Sequence, residues 1–463
     1  MNKAESKNIF DIVIIGGGAS GVMAAVSASR FCKKKNIPVR IAIIERHAKL
    51  GRKLLATGNG RCNLSNWNAS VHASNHYYSE YPLLYEAVLG QFTPQKTVEF
   101  FQSIGILCQT KDDGKVYPFC DQAFSVVEML SKELASLDIE IITNMEVQEI
   151  NKEASGFNLK CKKIQLPINA ISIVETTPVH IHARRVIVAT GGKASPALSS
   201  DGLGYKLLAP LSHKCTYMFP AIVQIKTQTD FVSTLVGTKC NVGISLMRTT
   251  LQKAQEEKSV REILKKDSGE LLFTKYGISG PPVLQIARHL NGFEQEDKMD
   301  SKMQYYAVID YLENFTTKDV VDLLTKRIID FKDRPIHQLL IGIMPFKIAI
   351  AITKRVFLQK ENHLISTITP KELALLVTQL KTFTIRITGT TGWNEAQVTA
   401  GGIRCDQVSP QTLESNLCEG LYIIGEVLDV DGDCGGYNLQ FAWASGYAAG
   451  VDAAKLLVET TTD

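Results

Sequence analysis

The sequence predicts an α/β protein whose doubly wound, parallel-sheet domain is split along the chain by two inserts, one β-rich and one small and helical. Three observations carry this. An apolar strand near the N-terminus runs into a Gly-rich turn and an Ala-rich helix. Further apolar strands ending in glycine recur far along the chain, before Gly191 and Gly425. The stretch between them changes first to short β-like runs and then to a helical apolar period.

The chain has 463 residues, which at roughly 150 residues per domain predicts about three folding units. Hydrophobic residues at 45% and charged residues at 21% exclude a disordered, collagen-like or coiled-coil chain. Lys plus Arg is 51 against 47 for Asp plus Glu, and a net charge of +4 gives little reason to expect nucleic acid as a partner. The charge leaves room for a small anionic ligand. Ten cysteines with no Cys-x-x-Cys spacing and no His cluster argue against a zinc or disulfide framework and point to reduced thiols in a cytoplasmic protein. No metal site is expected. The apolar N-terminal run is broken by glycines, and Leu339 to Ile352 is broken by Pro345 and Lys347, so no membrane span is read.

The elements follow in order. Ile12 to Ile15 is a continuous β-branched run, the mark of a strand buried on both faces. Gly16-Gly17-Gly18-Ala19-Ser20-Gly21 fits G-x-G-x-x-G. Here Gly16 permits the tight turn, Gly18 the approach of a pyrophosphate and Gly21 close helix packing. The helix from Val22 to Phe31 points its N-terminal amides at the phosphates, and Lys33 to Lys35 suit its C-terminal dipole. A second strand, Val39 to Ile44, delivers Glu45 where an acid can accept hydrogen bonds from an adenosine ribose, with Arg46 beside it. FAD or NAD fits this pattern better than NADP.

Gly51 to Asn66 reads as a ligand-wrapping loop without regular structure. Its Thr57, Gly58, Asn59, Gly60, Cys62 and Asn63 supply backbone and small polar groups, and Arg52, Lys53 and Arg61 can offset pyrophosphate charge. Glu140 to Ile150 reads as one further strand. Arg185 to Val188 leads into Ala189-Thr190-Gly191-Gly192. Leu421 to Val427, with Gly425 and Glu426, repeats that theme, then the loop containing Asp431 opens a helix through Gly450. The N-terminus of that helix, at Asn438, Leu439 and Gln440, suits the carbonyl side of a flavin ring. Between these pieces, 196–335 is assigned as a β-rich insert and 336–383 as a helical insert. Residues 1–195 and 384–463 form a Rossmann-like FAD-binding domain.

The segments GRKLLATGNGRCNLSN, LLFTKYGISGPPVLQIA, VTAGGI and LYIIGEVLDVDGDCGGYNLQFAWASGYAAG resemble the BaiN-like flavoproteins over the whole chain. The resemblance implies FAD held by a Rossmann-like domain interrupted by two inserts, and oxidoreductase activity linked to NAD(P)H. Some relatives act on carbon–carbon double bonds of 3-oxo bile acids. It also implies that the backbone near Val147 meets adenine. In FTKYGISGP the family usually carries His where this chain has Lys275, so no role transfers to that position.

With one dinucleotide fingerprint in the chain, NAD(P)H is expected as a transient reductant that docks at the flavin and leaves before a small apolar or enone-like substrate enters. Arg61, Lys275, Tyr276 and Tyr437 are candidates for proton donation or substrate orientation, or are packing contacts. Cys62 and Cys434 are either a redox pair beside the flavin or two small packing residues. Two other functions stay open: an FAD-containing RNA-modification protein, and a flavin-binding sensor without rapid turnover.

Overall fold

A computed structural model describes residues 8–70, 75–111, 113–164, 178–198, 200–250, 262–290 and 303–462. The chain divides into two compact units, one of Met1–Phe219 with Val398–Asp463, the other of Pro220–Gln397.

In the first unit, the strand Ile9–Ile15 is central. It pairs in parallel with Ile41–Ile44 on one side and Val179–Val188 on the other, and Glu140–Ile142 extends the parallel sheet beyond Ile41–Ile44. Ile12, Val13, Ile14 and Ile43 are fully buried, as a strand covered on both faces requires. The late strand Leu421–Ile423 pairs in parallel with Val186, Ile187 and Val188, so the C-terminal segment rejoins the sheet beside the strand that ends at Ala189. The helix Ala19–Lys34 and the C-terminal helix Tyr437–Thr462 meet backbone to backbone. A Cβ on Gly446 would lie 2.3 Å from the Ser20 carbonyl oxygen, and one on Gly450 would lie 2.3 Å from that of Ala24.

Two sequence expectations are corrected within this unit. Glu140 to Ile150 is not one strand. The chain breaks at Asn144, whose φ is 53°, and Met145–Glu153 turns away to pair antiparallel with Gly156–Lys163. The segment from Gly51 to Asn66 is not devoid of regular structure, because Arg52–Ala56 forms a short helix before the chain turns through Gly58 and Asn59 in the left-handed region.

The second unit is a closed barrel. Its strands run in the order Ile225–Thr227, Gly277–Ser279, Glu262–Thr274, Lys239–Thr250, Met303–Asp310 and Phe383–Thr390. Alternate residues point inward, with Tyr305, Ala307 and Ile309 on one strand and Phe383, Ile385 and Ile387 on its neighbour all buried. The boundary expected at residue 384 therefore falls inside the barrel. Phe383–Thr390 closes it, pairing with both Met303–Asp310 and Ile225–Thr227, so the chain leaves this unit only after Gln397. Residues 196–219 belong to the first unit, and the expected helical insert shares one compact unit with the barrel.

A helix at Thr317–Asp330 lies within the stretch read as β-rich. Its signal was in the sequence: Thr316 accepts from the Asp319 amide and Asp319 accepts from the Thr316 amide, a reciprocal cap. Thr369 and Glu372 repeat this device at Pro370–Lys381. Among the described residues, no helix is long and apolar enough to cross a membrane.

Candidate functional site

The first strand ends at a turn whose glycines differ sharply in the space around them. A Cβ on Gly16 would lie 2.5 Å from the Ala189 carbonyl oxygen, and one on Gly21 would lie 2.0 Å from that of Gly16. These two seat the turn and the helix against the sheet. At Gly18 nothing lies within 4 Å of an added Cβ. Gly18 is thus the glycine whose lack of a side chain the protein's own packing does not require, as expected where a ligand approaches the backbone. Ala19 and Ser20 follow in the first turn of the helix, which has no side-chain cap, so its leading amides are available to an anion.

Glu45, at the end of the second strand, is 9% exposed. Its Oε2 accepts from the Gly17 amide at 2.9 Å and its Oε1 from the His47 amide at 2.9 Å. The acid is therefore locked to the glycine turn. Arg46 turns to Asp201 at 2.6 Å and lies 3.9 Å from Glu146. His47 escaped the sequence reading. Burial, and then the Arg52 guanidinium, hold its imidazole below the ordinary value, so the neutral ring accepts from Arg52 at 2.7 Å through Nδ1. Val147 is buried on Met145–Glu153, the far edge strand of the same sheet, whose Met145 amide donates to the Glu45 carbonyl at 3.0 Å.

The three cations expected at a pyrophosphate each have a protein partner. Lys53 is paired with Glu426 at 2.7 Å, Arg52 bonds His47 and the Ala197 carbonyl, and Arg61 lies over the Tyr117 ring and donates to the Gly58 carbonyl. Positive charge is present on this loop, but each cation is shared with a neighbouring element. The Thr57 hydroxyl closes the short helix by donating to the Leu54 carbonyl. Asn59 and Gly60 are exposed, whereas Cys62 and Asn63 are buried.

The turns after the later strands converge on this loop. Glu426 bridges Lys53 and the Thr399 amide, and Thr399 Oγ1 accepts from the amides of Lys193 and Ala194. Gly192 is thereby drawn next to Thr399 and Glu426, Gly191 lies beside Ser200, and the Gly425 amide donates to Ser445 Oγ. Two buried atoms at these turns, Thr190 Oγ1 and Asn63 Oδ1, have no hydrogen-bond partner among the described residues. Buried polar atoms are nearly always paired. Together with the clear space at Gly18, two orphaned polar atoms, a hydroxyl and an amide oxygen, fit a bound dinucleotide.

Asp431 is buried on the two-residue strand Asp431–Gly432, which pairs with Tyr77–Tyr78. The loop then reaches Tyr437. The first amides of its helix precede Gln440, whose own amide bonds the Gly436 carbonyl, so the backbone of Asn438 and Leu439 forms a helix N-terminus as expected. The side chains of Asn438 and Gln440 are otherwise employed. Asn438 staples the loop by accepting from the Gly432 amide and donating to the Gly432 carbonyl. Gln440, fully buried, accepts from Ser65 and Thr97 and donates to the Phe92 carbonyl. The sequence pattern marked these residues as a helix start but could not show that the side chains of Asn438 and Gln440 were already engaged.

Burial pushes the Cys62 thiol up to about 12, which removes the low-pKa thiolate that a reactive cysteine needs. Neither Cys62 nor Cys434 forms a disulfide among the described residues. Tyr437 is likewise raised to about 12 by burial and by Asp433. Lys275 and Tyr276 belong to the other compact unit. They occupy the tight connection between Glu262–Thr274 and Gly277–Ser279 of the barrel unit, with Lys275 exposed. Sequence reasoning also missed His76 and Asp433, which are 2.9 Å apart beside Tyr437.

The family described as the HI0933-like protein Rossmann domain matches residues 10–452 of this chain. A 3-dehydro-bile acid delta(4,6)-reductase of Clostridium scindens is 36% identical over 444 residues, covering 96% of this chain and 99% of that protein. Ribosomal RNA dihydrouridine synthases of Haemophilus influenzae and Escherichia coli are 27% and 26% identical, each over 96% of this chain and 98% of their own length. Among solved structures, the 3-ketosteroid delta1-dehydrogenase of Sterolibacterium denitrificans is similar in fold. It has a TM-score of 0.50 at 11% identity and covers 97% of this chain and 100% of that one.

Proposed function

This chain belongs to the HI0933-like Rossmann family, and from that premise we propose that it is an FAD-dependent oxidoreductase, reduced by NAD(P)H, that saturates a carbon–carbon double bond conjugated with a carbonyl in a small molecule. One observation carries the cofactor assignment. The glycine turn, with clear space at Gly18 and Glu45 locked at 2.9 Å to the Gly17 amide, lies in one unit with two orphaned buried polar atoms, Thr190 Oγ1 and Asn63 Oδ1.

When bound, FAD supplies two-electron chemistry that no side chain can provide. The chain's part is to hold and orient. Gly16 to Gly21 and the helix behind them would receive the pyrophosphate, Glu45 the ribose, and the amides of Asn438 and Leu439 the carbonyl edge of the flavin. The Lys53–Glu426–Thr399 bridge fixes turns that would hold the cofactor. The acceptor class is supported by the names of the relatives, since a delta(4,6)-reductase of a 3-dehydro bile acid and a dihydrouridine synthase both describe saturation of an enone-like double bond.

Those synthases also favour a second reading, in which the acceptor is a uracil base in ribosomal RNA. One experiment separates them. The purified protein is reduced anaerobically with NADH or NADPH and then offered either a 3-oxo-Δ4 steroid or ribosomal RNA stripped of modification. Return of the visible flavin band with the steroid supports the first reading. Return only with RNA, with dihydrouridine formed, supports the second. No bleaching by either nicotinamide refutes the donor assignment.

A further inference from the structure

The geometry points to His76, oriented by Asp433, as the acid that protonates the reduced substrate, and this inference rests on the reductase reading above. Backbone pairing sets the two residues face to face. Tyr77–Tyr78 pairs antiparallel with Asp431–Gly432, and the Asp433 amide donates to the His76 carbonyl at 2.9 Å. Their side chains then meet, with His76 Nδ1 at 2.9 Å from Asp433 Oδ2. The other carboxylate oxygen accepts from the Tyr78 hydroxyl at 3.0 Å, so the acid cannot swing away. The imidazole stacks on Tyr437 at 4.6 Å between centroids. Its ring is fixed on one face and along one edge.

A carboxylate on Nδ1 dictates which nitrogen faces outward. With Nδ1–H committed to Asp433, the proton available for transfer is the one on Nε2. Among the described residues, Nε2 has no hydrogen-bond partner, and the side chain is 39% exposed against 11% for Asp433. The dyad is adjacent to the proposed flavin pocket through the loop itself. An added Cβ on Gly436, next to Tyr437, would lie 2.9 Å from the orphaned Asn63 Oδ1. Other candidates in this neighbourhood serve less well. The Cys62 thiol is buried and held at about 12, the Tyr437 phenol is also at about 12, and an arginine such as Arg61 does not give up its proton.

Saturating the conjugated double bond adds a hydride to the carbon distant from the carbonyl, with both electrons drawn from reduced FAD. The carbon next to the carbonyl receives a proton from His76. A C–H bond forms there as the Nε2–H bond breaks, the imidazolium becomes neutral imidazole, and water reprotonates the exposed ring. His76 is the catalytic residue and Asp433 a positioning residue.

The test uses FAD-loaded protein reduced with dithionite, which frees it from the nicotinamide assignment, and 2-cyclohexenone and a 3-oxo-Δ4 steroid as acceptors in stopped flow. In His76→Asn and His76→Ala, reoxidation by the enone should slow by about a hundredfold to ten-thousandfold, the usual worth of a positioned acid. Added imidazole should restore part of the rate to His76→Ala. Histidine ring 15N NMR of the protein should show Nδ1 protonated, and Asp433→Asn should change that tautomer. Wild-type reoxidation rates in both His76 variants would overturn the inference, as would loss of FAD by both, which would make His76 a cofactor-holding residue. If the wild type is not reoxidised by either enone, the reductase reading itself fails, whichever donor reduces the flavin.

Discussion

Substituting Gly18 by alanine separates cofactor binding from folding. Gly18 has φ −83° and ψ −169°, an extended conformation open to any residue, and its added methyl meets nothing within 4 Å. Removing a glycine stabilises the fold by about 0.4–1 kcal/mol through the unfolded chain. Alanine is in turn a poorer helix N-cap than glycine by about 0.5 kcal/mol, so the net change in apoprotein stability is within about 0.5 kcal/mol of zero. The methyl nevertheless fills the space assigned to the pyrophosphate. Overpacking there costs roughly 1–3 kcal/mol, which weakens FAD binding by about fivefold to a hundredfold. The assay pairs thermal unfolding of deflavinated protein with titration of FAD followed by quenching of flavin fluorescence. The companion variants Gly16→Ala and Gly21→Ala, whose methyls strike backbone at 2.5 and 2.0 Å, should instead lower the unfolding temperature of the apoprotein. A Gly18→Ala protein that keeps both its stability and its wild-type affinity for FAD would refute the placement of the phosphates.

Three further outcomes are expected. Cys62, buried with its thiol at about 12, should resist iodoacetamide at neutral pH while exposed Cys120 and Cys215 react; peptide mass spectrometry showing Cys62 alkylated as fast as Cys120 would reinstate a reactive thiol. Replacing Gln440 by Met strands the acceptor at Phe92 and the hydroxyls of Ser65 and Thr97, so urea unfolding should show a loss of about 2–4 kcal/mol while the folded fraction keeps its FAD affinity. The Glu372 carboxyl is held at about 2, first by the Thr369 amide and then by Lys360. A carboxyl depressed in the folded state stabilises above its unfolded pKa and loses that effect as pH falls through the folded value. Glu372→Gln should therefore be less stable than wild type at neutral pH, and the gap should close as acid unfolding curves approach a pH of about 2.

Much of the architecture could be read from the sequence because its signals were local. The run Ile12 to Ile15, the glycines at 16, 18 and 21 and the acid at 45 fall within one strand–helix–strand unit, where neighbours in sequence are neighbours in space. The barrel was legible only as scattered β-like runs. Its closing strand, Phe383–Thr390, pairs with residues about 80 and 160 positions earlier, and nothing local distinguishes it from a strand of the flavin sheet. Thr316 and Asp319 did announce a helix locally, but the surrounding turns masked it. At the site, residue type indicated cations and amides without showing their partners, so Lys53, Arg52, Asn438 and Gln440 looked free when each was engaged. His76 and Asp433 lie 357 residues apart, and their pairing is a property of the fold.

The most direct measurement is the visible spectrum of the purified protein during an anaerobic cycle. A yellow protein is expected that releases FAD on denaturation, loses its flavin band on addition of NADH or NADPH, and regains it with a conjugated enone in the absence of oxygen. A colourless protein that neither carries nor takes up FAD, with Glu45 and the glycine turn intact, would contradict it.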